Sequence, residues 1–145
     1  MKEGSGPASF RETLAKPRIL LVVENDNYLL GQLTRLCHQE SDSVALVRSA
    51  EEALRSLENS ERDVLFYRSK RFDQEIFRRW RESQPSLSII LLLDESEVGV
   101  AVELMKIGAY DYLTLPLQAN GFKRLIADAA DERRSKARFF KGQGC

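Results

Sequence analysis

Charged side chains sit at the ends of short apolar runs in this sequence, where a folded sheet would gather them. Glu24, Asn25 and Asp26 follow the run from Ile19 to Val23, Arg68 closes the run from Val64 to Tyr67, and Asp94 follows Leu93. Carboxylates grouped in this way can hold a divalent cation through oxygen ligands. Without a cation they repel one another and raise each other's pKa. Arg68 supplies a cation of another kind, a guanidinium that grips a carboxylate with two parallel hydrogen bonds. It stays protonated and has no nucleophilic oxygen. Other chemistries are poorly supplied. His38 is the only histidine, which excludes a His-based phosphorelay step or a His-metal cluster within the chain. Cys37 and Cys145 are far apart, with no metal-ligand spacing, and no Ser/His/Asp or Cys/His arrangement exists. A nucleotide-binding βαβ unit would place a Gly-rich turn after the first strand. The chain has Glu24, Asn25, Asp26 and Asn27 there, and the next glycine is Gly31.

The elements that would position these residues alternate. Arg18 to Val23 is an unbroken apolar run after its first residue, as expected of a strand buried on both faces. Asn25 or Asp26 then caps a helix carrying Leu29, Leu33, Leu36 and Cys37 on one stripe. Val44 to Val47 is a second strand. Ser49 to Glu52 reads as a capping box opening a helix through Ala53, Leu54 and Leu57. Val64 to Tyr67 is a third strand, and residues 73–83, with Ile76, Phe77 and Trp80, form a third helix ended by Pro85. Leu87 to Leu93 is a fourth strand, followed by a helix from about Ser96 to Ile107 that stops at Gly108. Tyr110 to Leu113 is a fifth strand, and a last helix starts at about Ala119. Repeated βα units predict an α/β fold, a doubly wound five-stranded parallel sheet with helices on both faces. The flavodoxin-like strand order 2-1-3-4-5 is a common form, with its site at the carboxyl ends of the strands. Glu24, Asn25, Arg68, Leu93, Asp94 and Leu115 should meet there.

These strand ends resemble the response-regulator receiver domain of two-component signal transduction. Ile19 to Asp26 looks like the receiver opening, Ser49 to Leu54 like the start of its second helix, and Ala101 to Pro116 like its fourth helix and fifth strand. The resemblance spans about Pro17 to Ala130, and its wording leans toward receivers of bacterial enhancer-binding transcription activators. It implies a five-part phosphorylation site: an acidic pair, an acceptor aspartate, a hydroxyl residue and a lysine, with Mg²⁺ held by the acids. The matching residues here are Glu24 and Asn25, Arg68, Leu93 and Leu115. The acceptor, the hydroxyl and the lysine are all replaced, and the loop after the third strand is shorter than in the family. The expectation is therefore a degenerate phosphorylation site, a pseudo-receiver with no catalytic residues, no metal and no cofactor. Such a domain would act by protein–protein interaction or dimerisation. Arg68 is expected to stand in for the missing cation, pairing with Glu24 and also with Asp26 or Asp94. Tyr112 matches the family's switch aromatic and is expected to be held outward. Pro116 matches a proline that often follows a cis peptide. The alternatives are a phospho-switch using a non-standard acceptor such as Asp94 (Asp73 being another candidate), or a small-ligand-binding α/β module.

Composition sets outer bounds. The chain's 145 residues suit one domain, and its 22 basic and 22 acidic side chains cancel, so net charge gives no signal for nucleic acid. No stretch reaches the roughly 18 apolar residues of a membrane span. The cysteine usage fits a reducing, cytoplasmic setting. Residues 1–16 read as a flexible leader, 17–131 as the receiver-like domain and 132–145 as a helical extension or linker ending near Phe139 and Phe140. That extension could join an effector domain or add to a homodimer seam through helix 4, strand 5 and helix 5. A basic cluster of Arg68, Lys70, Arg71, Arg78, Arg79 and Arg81 surrounds the third helix, with no nucleic-acid recognition motif beside it.

Overall fold

The structure is a computed structural model that describes residues 16–144, with side chains described for 16–132. The leader up to residue 15, Cys145 and the side chains of Phe139 and Phe140 lie outside the described residues. The elements are β1 (Arg18–Val23), α1 (Asn27–Glu40), β2 (Ser43–Val47), α2 (Ala50–Asn59), β3 (Val64–Arg68) and α3 (Gln74–Ser83). β4 (Ser88–Leu93), a 3₁₀ turn (Glu95–Glu97), α4 (Val98–Lys106), β5 (Asp111–Thr114) and α5 (Ala119–Gly144) complete them. All strand pairs are parallel and the order is 2-1-3-4-5, as expected.

The central strands are apolar on both faces because both faces are covered. Leu20, Val22, Leu65, Tyr67, Ile89 and Leu91 alternate onto the side packed by α2, α3 and α4. Ile19, Leu21, Val64, Phe66, Ile90 and Leu92 alternate onto the side packed by α1 and α5. The period of two along each strand sends neighbouring residues into separate cores. Rings anchor each core. Trp80 meets Tyr67 edge-on at 4.7 Å on the first side, and Phe66 stacks on Phe122 at 4.9 Å on the second. The Trp80 indole N–H donates to Ala50 O at 3.2 Å, which ties α3 to the start of α2.

Local signals explain most of the element ends. Asp26, not Asn25, caps α1, its carboxylate accepting from Leu29 N at 3.0 Å. Asn25 instead takes a left-handed φ of 57°, a conformation Asn tolerates better than most residues. Ser49 accepts from Glu52 N at 3.2 Å, while the Glu52 carboxylate reaches past Ser49 to the Arg48 N–H. Asp73 caps α3 through Glu75 N and Ile76 N. Gly108 ends the α4 region at φ 118°, and a Cβ there would also lie 3.1 Å from Arg81 Nε, so both backbone and packing call for glycine. Several ends differ from the sequence reading by a residue or two: among them, α4 starts at Val98 behind a 3₁₀ turn, β4 begins at Ser88, and β5 runs from Asp111 to Thr114.

The amino end of the sheet is closed by side chains that complete backbone hydrogen bonds. The Asp63 carboxylate takes the Arg18 N–H at 2.7 Å and the Arg18 guanidinium at 3.1 Å. Gln84 is buried and does three jobs. Its amide nitrogen donates to Leu57 O and Ser60 O, both at 2.8 Å, and its oxygen accepts from Arg62 N at 3.0 Å. The first two carbonyls sit at the end of α2, where no further helical N–H is available. Gln84→Ala would remove all three of these hydrogen bonds, and is expected to cost about 2–4 kcal/mol. Urea denaturation should show this as a lower midpoint with an unchanged slope.

Candidate functional site

The carboxyl edge of the sheet gathers the residues singled out from the sequence, though not all in the expected pairs. Parallel register puts Arg68 beside Val23, and Glu24 N donates to Arg68 O at 3.0 Å, so Glu24 and Arg68 enter the edge side by side. β4 and β5 bring Leu93 opposite Thr114, with Leu115 N donating to Leu93 O at 2.8 Å. The Leu115–Pro116 peptide is cis, as the sequence reading expected.

Arg68 turns away from Glu24. Its guanidinium crosses β4 and enters the turn beyond it. Nη1 donates to Glu97 Oε1 at 2.8 Å and to Leu92 O at 3.1 Å, and Nη2 donates to Asp94 Oδ2 at 3.3 Å. The expected partnership with Asp94 is present, while Glu97 replaces Glu24 as the closest carboxylate. Glu24 is occupied elsewhere: Oε1 accepts from Ser69 Oγ at 2.6 Å and Oε2 from Ala50 N at 3.2 Å. The latter places a negative charge at the first N–H of α2, a favourable position at the positive end of the helix dipole. Asp26 is used as the α1 cap.

Glu97 is the residue the sequence reading missed. It lies 29 residues from Arg68, inside a stretch read as the opening of a helix; the capping-box spacing from Asp94 to Glu97 is the local signal available, and it does not point to Arg68. Its carboxylate also accepts from Asp94 N at 2.8 Å, which shapes the 3₁₀ turn. Partial burial alone would raise the Glu97 pKa, but the Asp94 N–H and the Arg68 guanidinium outweigh it and hold the carboxyl below its usual range. The side chain of Arg68 is 12% exposed, that of Glu97 22% and that of Asp94 59%. The inner pair is thus largely shielded and the outer one is open to water.

Leu93 and Leu115 do not converge on the ion pairs. Leu93 is fully buried in the core under α2, α3 and α4, and Leu115 packs against the core on the α1 and α5 side. Tyr112 is half-buried and packs against the core that contains Leu104. A cleft of about 390 Å³ lies between the ends of β1 and β3, with Glu24, Ser69, Lys70, Arg71 and Asp73 among its lining. Tyr67 lines it too; burial among Phe72 and Trp80 pushes its phenol up to about 12, so it stays neutral. The basic cluster read from the sequence divides. Arg68 is tied inward and Arg81 donates to Leu87 O and Pro85 O, while Lys70, Arg71, Arg78 and Arg79 remain exposed.

A divalent cation of the kind the family resemblance implies needs several oxygen ligands free to turn toward it. The residues present do not fit one. Glu24 is engaged by two donors, Asn25 is neutral, and the third position carries a guanidinium. No group of three or more acidic, His or Cys side chains among the described residues could hold a metal ion. What the arrangement can do is fix the geometry of the turn between β4 and α4 by direct ion pairing.

Known proteins agree with this fold. No protein-family model matches the chain. The transcriptional regulatory protein GlrR of Escherichia coli K12 is 30% identical over 121 residues, which is 81% of this chain and 27% of GlrR. The chain thus spans about a quarter of the length of the curated relatives it matches. A response-regulator receiver domain from Clostridium thermocellum superposes with a TM-score of 0.71 at 24% identity, covering 81% of this chain and 97% of that one. An adenylate cyclase structure from Rhodopirellula baltica gives a TM-score of 0.74 at 22% identity, covering 86% and 97%. No helix among the described residues is long and apolar enough to cross a membrane. The chain thus has the fold of response-regulator receiver domains, and over 121 residues it is similar in sequence to part of GlrR.

Proposed function

We propose that this chain is an atypical receiver domain that takes no phosphoryl group and signals through protein contacts. One observation carries the reading. The side chain at the end of β3 is a guanidinium already paired with Glu97 and Asp94, so the acceptor position holds a built-in cation and no nucleophile. The aliphatic Leu93 and Leu115 offer no hydroxyl or ammonium to phosphoryl oxygens. Likeness to part of the transcriptional regulatory protein GlrR supports a place in transcription regulation, and the proposal adds a linked effector domain and a cytoplasmic setting. The contact surface proposed for it is α4 with β5 and α5, where Val100, Val102 and Met105 are exposed large apolar side chains. Catalysis forms no part of this reading.

Incubation with a small-molecule phosphodonor and Mg²⁺, followed by intact-mass measurement beside a phosphorylatable receiver, should add nothing to this chain. A labile phosphoryl adduct mapped to Asp94 or Asp73 would replace the proposal with a phospho-switch using a non-standard acceptor.

The ion pair itself is tested by pH. The Glu97 carboxyl has a lower pKa folded than unfolded, so its contribution to stability is present above the unfolded value near 4.3. It is lost as pH falls through the folded value. Glu97→Gln keeps the shape and removes the charge. At neutral pH it should lower stability by about 1–2 kcal/mol, between the values for exposed and buried pairs. Thermal melts of the two proteins should converge as pH drops below about 4. A gap that stays constant down to pH 3 would show that the Arg68–Glu97 charge pairing contributes nothing.

A further inference from the structure

The turn through Leu115 and Pro116 forms a ridge with a hollow on either side. One hollow, of about 260 Å³, includes Tyr28, Leu29 and Asp94 in its lining; the other, of about 300 Å³, includes Glu95, Leu113 and Leu117. Leu115 and Pro116 line both, so the two make one saddle between α1 and the start of α5. The hollow on the α1 side is mostly apolar, and Tyr28 in its lining is 79% exposed. The saddle's charge has one sign. Asp26, Asp94 and Glu95 belong to the lining and no Lys or Arg does, although Arg68 offsets part of the Asp94 charge.

Another segment of the chain has the opposite character. Five of the nine residues from 133 to 141 are Arg or Lys, none is acidic, and Phe139 and Phe140 are adjacent within them. The backbone of this stretch is the end of α5, which begins at Ala119 beside the saddle and runs unbroken to Gly144. Its 26 helical residues carry it roughly 39 Å from its start. An unbroken helix cannot turn back, so the end of α5 is out of reach of its own saddle. It can reach the saddle of another molecule.

We propose that the saddle over Leu115–Pro116 binds the basic, Phe-bearing end of α5 from a second copy of this chain. The apolar hollows would take the aromatic residues, and the acidic rim would face the Arg and Lys side chains. Complementary charge of this kind steers association and fixes orientation, and it weakens as salt rises. The proposal does not depend on the loss of phosphoryl transfer.

The test is sedimentation velocity on the 145-residue chain at low and moderate salt. Self-association that weakens with salt is expected. Tyr28→Lys on one side, or Phe139→Asp with Phe140→Asp on the other, should each weaken it about tenfold or more. Tyr28 is exposed, so its replacement should leave the circular dichroism unchanged. The decisive result is complementation. An equimolar mixture of the two variants should associate more tightly than either alone, because one intact saddle then meets one intact helix end. A chain that stays monomeric in every condition would overturn the proposal. So would association that survives either set of substitutions. Association abolished by Val102→Asp and untouched by the α5 variants would move the interface to α4 and overturn it as well.

Discussion

Arg68 is rooted on a central strand, yet its guanidinium reaches across β4 to the turn beyond, where it meets Leu92 O, Asp94 and Glu97. Much of the carboxyl edge follows from that placement. β1 and the β4 turn bring Glu24, Asp26, Asp94 and Glu97 to one end of the sheet, and carboxylates so gathered destabilise one another unless a positive charge is near. A guanidinium meets this need with several donors in a fixed plane, so charge compensation and shape arrive together. Glu97 is pulled toward both Arg68 and the Asp94 N–H, and the chain leaves β4 through a 3₁₀ turn before α4 begins. The orientation in which α4 leaves the sheet is thus coupled to a residue on β3.

The other departures from the receiver pattern are consistent with that arrangement. Glu24 caps the first N–H of α2 and holds Ser69, so its oxygens link two loops. Leu93 is fully buried in one core, and Leu115 packs partly buried against the other. Each change alone would weaken a phosphoryl site.

The fold was legible because long apolar runs such as Ser88–Leu93 can only be buried on both faces, and βα alternation then leaves few topologies. Caps at Asp26, Ser49 and Asp73 followed from local chemistry within three residues. The convergence of Glu24, Arg68 and Asp94 followed from topology. The pairing within that group did not. β3 lies between β1 and β4, so Arg68 had acidic neighbours on both sides, and strand order alone cannot choose. The choice rests on Ser69 and Ala50 N, which already satisfy Glu24, and on Glu97, which only the fold brings near. The 3₁₀ turn that leads into Val98 was not read either; such turns are frequent at helix N-termini and have no strong sequence mark of their own.

A cation fixed to the backbone differs from a bound ion or a phosphoryl group in one respect that bears on signalling. A ligand moves a two-state equilibrium only through its different affinity for the two states, and only while its concentration changes. Arg68 has no concentration to vary. Whatever preference it imposes on the turn between β4 and α4 is constant under all conditions that leave Glu97 ionised. On the proposed reading, regulation of such a domain cannot come from chemistry at the carboxyl edge. It has to come from events that change how much of the domain is present or what occupies its surfaces. The exposed apolar residues of α4 and the acidic saddle beside α1 are surfaces of that kind. Both lie within reach of the turn that Arg68 holds, because α4 starts directly after Glu97 and Asp94 lines the saddle. On that reading, the residue that forecloses one mode of control also presets the geometry on which the remaining mode would act.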